Sequence, residues 1–154
     1  MQLSGRRVVV IDQPDTGVVL VDALVRAGAA ACGPFADVWA ALDHMRTNII
    51  DAAVLGHCGR AGDSAVIAAA LAEGGKPVLF YGGEPPADRV VANSTLIGAC
   101  PLEATAEEVV AQLRHLLGPS SGPAAARRRA GGGFLTALTT ALRARPAPQR
   151  ALSL

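Results

Sequence analysis

The stretch RRVVVIDQPDTGVVLVDALVRAG, residues 6–28, decides the fold. Its opening six residues, Arg6 to Ile11, hold three consecutive valines and an isoleucine without polar alternation. A strand of that kind has both faces covered, as in a parallel sheet. Asp12-Gln13-Pro14-Asp15 ends the strand in a loop. From Thr16 to Ala27 the apolar residues Val18, Val19, Val21, Leu24 and Val25 recur at helical spacing, and Gly28 is suited to cap that helix. The segment is therefore one strand–loop–helix unit.

The same unit repeats along the chain. Ala29–Cys32 reads as a weak strand, and Asp37 can cap a helix over Val38–Arg46 with Trp39, Leu42 and Met45 on one face. Asp51–Leu55 is a buried strand and Gly56–Gly62 a loop. An Ala-rich helix over Ser64–Glu73, with Asp63 as its cap, stops at Gly74-Gly75. Pro77–Tyr81 is a fourth strand, Gly82–Pro86 a loop, and Ala87–Ala92 a short helix. Thr95–Ala99 is a fifth strand. Thr105-Ala-Glu-Glu108 is a capping box that opens a final helix ending at Leu117. Strand and helix alternating five times predict an α/β fold: a doubly wound five-stranded parallel sheet, flavodoxin-like, with strand order 2-1-3-4-5.

Composition agrees with this. The chain has 154 residues, of which 51% are hydrophobic and 18% charged, which excludes a wholly disordered protein. Aromatics are only 3%, so the core must be built from Ala, Val, Leu and Ile. No apolar run approaches the roughly 20 residues of a membrane-spanning helix. The N-terminal residues lack the apolar centre of a signal peptide. Three cysteines at irregular spacing form neither a disulfide framework nor a zinc signature. A cytoplasmic location is the expectation.

The formal charge of +1 conceals a division. Residues 1–117 carry a net −5, whereas residues 118–154 carry six arginines and no acid. The expected organisation is a domain over residues 5–117, a Gly/Pro/Ser-rich linker over 118–133 and a basic tail over 134–154. In the tail, Phe134, Leu135, Leu138 and Leu142 fall on one face of a short amphipathic helix, a form that suits docking to a partner. Lys76 is the sole lysine of the chain.

In an open parallel sheet ligands bind beyond the carboxyl ends of the strands. Taken in order, Val-Val-Val-Ile-Asp-Gln ending at Gln13, Asp-Ala-Ala-Val-Leu-Gly-His from Asp51, Pro-Val-Leu-Phe-Tyr-Gly-Gly from Pro77, and Cys-Pro-Leu from Cys100 before a final helix resemble the receiver domain of two-component response regulators. The resemblance covers about residues 5–117. The family's chemistry uses an acidic pair after strand 1 that holds magnesium and an acceptor aspartate after strand 3. It also uses a Thr or Ser after strand 4, a Lys after strand 5, and an aromatic residue three before that Lys. Carried over, these positions read Asp12-Gln13, Gly56, Gly82, Cys100 and Ile97, and only Pro101, after the Lys position, matches. One carboxylate is a poor cage for magnesium, and without a nucleophile nothing receives a phosphoryl group. Lys76 precedes strand 4, at the opposite end of the sheet from this site.

The resemblance thus implies a degenerate pseudo-receiver, not an enzyme and without a cofactor or metal. It implies signalling by phosphorylation-independent protein–protein interaction. The implied partner is a histidine kinase or another two-component protein, and the face formed by the fourth helix, fifth strand and final helix offers a route to a homodimer. The family's Lys-Pro bond is typically cis, so a cis Cys100–Pro101 bond is expected. The alternative is a ligand-, metal- or redox-responsive sensor built on the altered site around Asp12, His57, Cys58 and Cys100. The competing reading of Cys32, Cys58 and Cys100 is small-residue core filling. His44 and His115 are expected in solvent. Nucleic-acid binding through Arg127-Arg128-Arg129 would have to show a steep salt dependence. No glycine-rich phosphate fingerprint is present, which argues against a nucleotide site.

Overall fold

The computed structural model describes residues 3–56, 61–82, 96–118 and Arg143. The strands are β1 (Arg7–Ile11), β2 (Ala30–Phe35), β3 (Ala52–Leu55), β4 (Val78–Tyr81) and β5 (Ile97–Cys100). The helices are α1 (Pro14–Arg26), α2 (Val38–Thr47), α3 (Ala61–Glu73) and α4 (Ala106–Leu117). All strands run parallel in one sheet of order β2-β1-β3-β4-β5. The expected flavodoxin-like doubly wound sheet is what the chain forms. The short helix expected over residues 87–92 lies outside the described residues, as do His57, Cys58, Gly83, residues 119–133 of the linker and the docking residues Phe134, Leu135, Leu138 and Leu142.

The valine run explains the two layers. Successive strand residues point to opposite faces. Val9 and Ile11 pack with Trp39, Leu42, Met45, Ile67 and Leu71 on the α2/α3 side. Val8 and Val10 pack with Leu20, Leu24, Val109 and Leu113 on the α1/α4 side. These four apolar side chains of β1 are fully buried, each worth about 1.5–3 kcal/mol of apolar burial. The absence of alternation is thus a direct consequence of two covered faces. Asp37 caps α2 by accepting from the Trp39 amide at 3.0 Å. Thr105 and Glu108 form the reciprocal capping box at the start of α4.

Several details differ from the sequence reading. Helix α1 begins at Pro14, whose fixed φ suits the first turn. Its buried face is Gly17, Leu20, Ala23 and Leu24, while Val18, Val19 and Val25 are exposed. Gly17 packs closely on β2, where a Cβ would lie 2.9 Å from Pro34 Cγ and closer still to its Cβ. With Leu20, Ala23 and Leu24 in the core on the same face, the three valines turn outward. Strand β2 continues through Gly33-Pro34 to Phe35 instead of stopping at Cys32, with a register irregularity between Val9 and Ile11. Cys32 is half-buried on this edge strand. Helix α3 starts at Ala61, so the Asp63 backbone is already inside it and is not the residue before it.

Among the described residues the cis peptide bond is Gly33–Pro34, and Cys100–Pro101 is trans. With that trans bond the Cys100 carbonyl accepts from the Gly82 amide at 3.0 Å, and the Pro101 carbonyl accepts from the Ala104 amide at 3.0 Å. His44 is half-buried, its ring 5.3 Å from that of Phe35, whereas His115 is exposed.

Candidate functional site

The carboxyl ends of the strands bring Asp12, Gly56, Gly82 and Cys100 to one edge of the sheet. Backbone bonds tie this edge together. Asp12 N–H donates to the Phe35 carbonyl at 3.0 Å, Gly56 N–H to Ile11 at 2.8 Å, and Gly82 N–H to Cys100 at 3.0 Å. Tyr81, paired in register with Cys100, extends the tie. Its hydroxyl lies 3.3 Å from the Leu102 carbonyl and 3.2 Å from that of Ala104, and so holds the turn after β5 against the end of β4.

Asp12 is 2% exposed. Its Oδ1 accepts from the Gln13 amide at 2.7 Å and its Oδ2 from the Thr16 hydroxyl at 2.7 Å. A carboxylate accepting from the first residues of a helix also faces the positive end of the helix dipole. Asp12 is therefore a fixed part of the α1 entrance. Gln13 occupies the N-cap position of α1, but its side chain makes no capping bond and is exposed.

Gly56 faces Asp12 directly. A Cβ built on Gly56 would fall 2.5 Å and 2.6 Å from the two carboxylate oxygens of Asp12. No side chain fits at residue 56 while Asp12 holds its present bonds. Gly82 has a φ of +83°, a backbone conformation that L side chains adopt only at a cost of about 1–2 kcal/mol. A threonine or serine is thus disfavoured there by the backbone itself.

Cys100 is buried, and burial pushes its thiol above the ordinary range, with the Glu108 carboxylate adding to the effect. A thiol in that setting is held protonated and is poorly nucleophilic. Ile97 is half-buried against the α2/α3 core, in register with Val78. Pro101 is exposed. Among the described residues no group of three or more His, Cys, Asp or Glu side chains could hold a metal ion, and no helix is long and apolar enough to cross a membrane.

Lys76 lies before β4, at the amino end of the strands, away from this edge. It is buried, 2% exposed, which the sequence did not indicate. Burial lowers its pKa, opposed by the Asp51 carboxylate. Asp51 in turn accepts from the Arg7 amide at 2.8 Å. The sequence reading also missed Thr16 and Tyr81. Thr16 stands four residues after Asp12 across the start of a helix, a spacing that could have signalled its bond.

The fold is that of a receiver-like domain: a parallel sheet of order 2-1-3-4-5 with helices on both faces. No family model matches the sequence, and no curated protein matches it. Among solved structures, the chain is similar to the NMR structure of the pseudo-receiver domain of the CikA protein. The match has a TM-score of 0.53 and 18% sequence identity, and it covers 76% of this chain and 100% of that one. At that identity the likeness is one of fold.

Proposed function

We propose that this chain is a pseudo-receiver: a protein-interaction module of two-component signalling that works without being phosphorylated. The observation that carries the reading is the relation between Asp12 and Gly56. The place where an acceptor side chain would start is filled by a carboxylate bonded to Gln13 and Thr16. Gly82 in its left-handed conformation and the buried Cys100 remove the hydroxyl and the cation that would bind phosphoryl oxygens. The pseudo-receiver fold of the CikA domain is consistent with this reading.

On this reading residues 5–117 are the module, 118–133 a linker and 134–154 an appended basic segment. The module acts in the cytoplasm on a histidine kinase or another two-component protein. Asp12, Gln13, Gly56, Gly82, Ile97, Cys100 and Pro101 are the remnants of a phosphorylation site. The test has two arms. The full chain is incubated with acetyl phosphate, magnesium and a cognate kinase, and its intact mass is followed. No stable acyl phosphate is expected, and a hydroxylamine-labile adduct on this chain would overturn the reading. Binding of the chain to the kinase is then measured with and without acetyl phosphate. The expected affinity is the same in both, and an affinity that needs acetyl phosphate would also overturn it.

A further inference from the structure

Helix α1 carries an apolar surface with no described residue over it. Val18, Val19 and Val25 are 57%, 55% and 53% exposed. Val18 and Val19 precede Asp22 by four and three residues and Val25 follows it by three, so the valines surround Asp22 on the helix surface. Asp15 and Asp22 lie on α1 itself and Glu107 on the neighbouring α4, and Arg26 stands 3.2 Å from Asp22 and 3.8 Å from Glu107, so a cation on the same surface offsets part of this negative charge. The domain that bears this surface has a net charge of −5. An occupant that is apolar and carries positive charge is complementary to such a domain.

Residues 118–154 have that composition. They contain six arginines, three of them at 127–129, and no acid. Phe134, Leu135, Leu138 and Leu142 recur at the spacing of one helical face. The geometry also permits the encounter. The cleft of about 230 Å³ lined by Ala23, Arg26, Ala27, Glu107, Val110 and Arg114 places the C-terminal half of α1 beside α4, whose end leads into Gly118. Helix α1 is about 20 Å long. Residues 119–126, which stay free when residues 127–142 dock, span about 27 Å when extended and roughly 15 Å as a flexible chain. That length suffices to bring residue 127 from Gly118 to the neighbouring α1.

We infer that residues 127–142 dock in cis on α1, with Phe134, Leu138 and Leu142 against Val18, Val19 and Val25 and Arg127–Arg129 toward the acidic residues of α1 and α4. The occupant of the valine surface is this chain's own tail.

The test is valine methyl NMR and amide hydrogen exchange on the full-length chain. Leu138→Asp with Leu142→Asp is expected to move the methyl resonances of Val18, Val19 and Val25 and to leave those of the buried Val8, Val9 and Val10 in place. The reciprocal pair Val18→Asp and Val25→Asp changes only exposed sites, so the fold is retained. It is expected to speed amide exchange over residues 134–142 by about tenfold. Salt at roughly 0.5 M should weaken the effect, because exposed charges are then screened. Methyl resonances that do not respond to the tail substitutions would overturn the inference. So would a response that disappears on dilution, which means a second copy, or protection of the tail only on adding phosphatidylserine vesicles, which means a membrane surface.

Discussion

The Asp12 carboxylate stands against the α-carbon of Gly56, with both of its oxygens within 2.6 Å of the place where a Cβ on residue 56 would sit. Both oxygens are also engaged, one by the Gln13 amide and one by the Thr16 hydroxyl. A side chain at 56 and the present Asp12 conformation exclude each other. Placing an aspartate there by Gly56→Asp should therefore fail twice. It should destabilise the fold by about 1–3 kcal/mol through overpacking, with a further cost for two facing carboxylates. It should also yield no acyl phosphate. A double-mutant cycle in urea checks the cause. Gly56→Ala should cost less in an Asp12→Ala background than alone, with a coupling of about 1 kcal/mol or more. Strictly additive values would show that the contact is not the reason.

Gly82 gives a second prediction. Its φ of +83° means that Gly82→Thr brings strain before any hydroxyl can act. The expected loss is about 1–2 kcal/mol, read from the urea midpoint at unchanged slope. Acetyl phosphate should protect neither this variant nor the wild-type chain against denaturation. A Gly82→Thr chain as stable as the wild type would mean that the backbone at this turn adapts freely.

Gly17 reverses the usual rule for helices. Replacing a mid-helix glycine by alanine normally gains about 0.5–1 kcal/mol. Here the added methyl would meet the Pro34 ring at less than 3 Å, and the two elements it separates, α1 and β2, lie directly against each other. Gly17→Ala should therefore lower stability by about 1–3 kcal/mol. A thermal or urea midpoint above that of the wild type would show that α1 can shift away from β2 without loss.

These three glycines show where the sequence was legible and where it was not. The valine run of β1, the Asp37 cap and the Thr105–Glu108 box each carry a local signal, and the repeated units predict a parallel doubly wound sheet, for which five strands make the order 2-1-3-4-5 the leading choice. The phase of α1 was not legible. Val18, Val19, Val21, Leu24 and Val25 offer a persuasive apolar stripe, yet the buried face is Gly17, Leu20, Ala23 and Leu24, with Gly17 against Pro34 and the leucines in the core. The extent of β2 was hidden because Gly33-Pro34 reads as a stop. At the strand ends, Gly56 and Gly82 could be seen to lack functional groups. That Asp12 fills the space beside one, and that the other sits at positive φ, depends on atoms brought together from distant parts of the chain. The burial of Lys76 is of the same kind, since nothing beside it in sequence announces Asp51.

Cys100 and Lys76 set opposite pH dependences that can be separated by substitution. The folded thiol of Cys100 ionises above its ordinary value of 9.0, because burial and then Glu108 disfavour the thiolate. Above the unfolded value the unfolded chain releases a proton that the folded chain keeps. The contribution is thus fully present below that pH and is lost as pH rises toward the folded value. Lys76 has the other sign. Burial, only partly offset by Asp51, puts its folded pKa below the ordinary 10.5. Between the two values the unfolded chain binds more protons, so stability rises with pH across that window and is lost as pH falls through the folded value. Urea midpoints from about pH 7 to 10 should show the stability advantage of the wild type over Cys100→Ala shrinking toward the alkaline end. Any difference in favour of the wild type over Lys76→Met should grow over the same range. Labelling with a thiol reagent, located by peptide mass, should modify Cys100 only as the chain unfolds. Parallel pH curves for wild type and both variants, or rapid native-state labelling of Cys100, would contradict the burial assigned to these two groups.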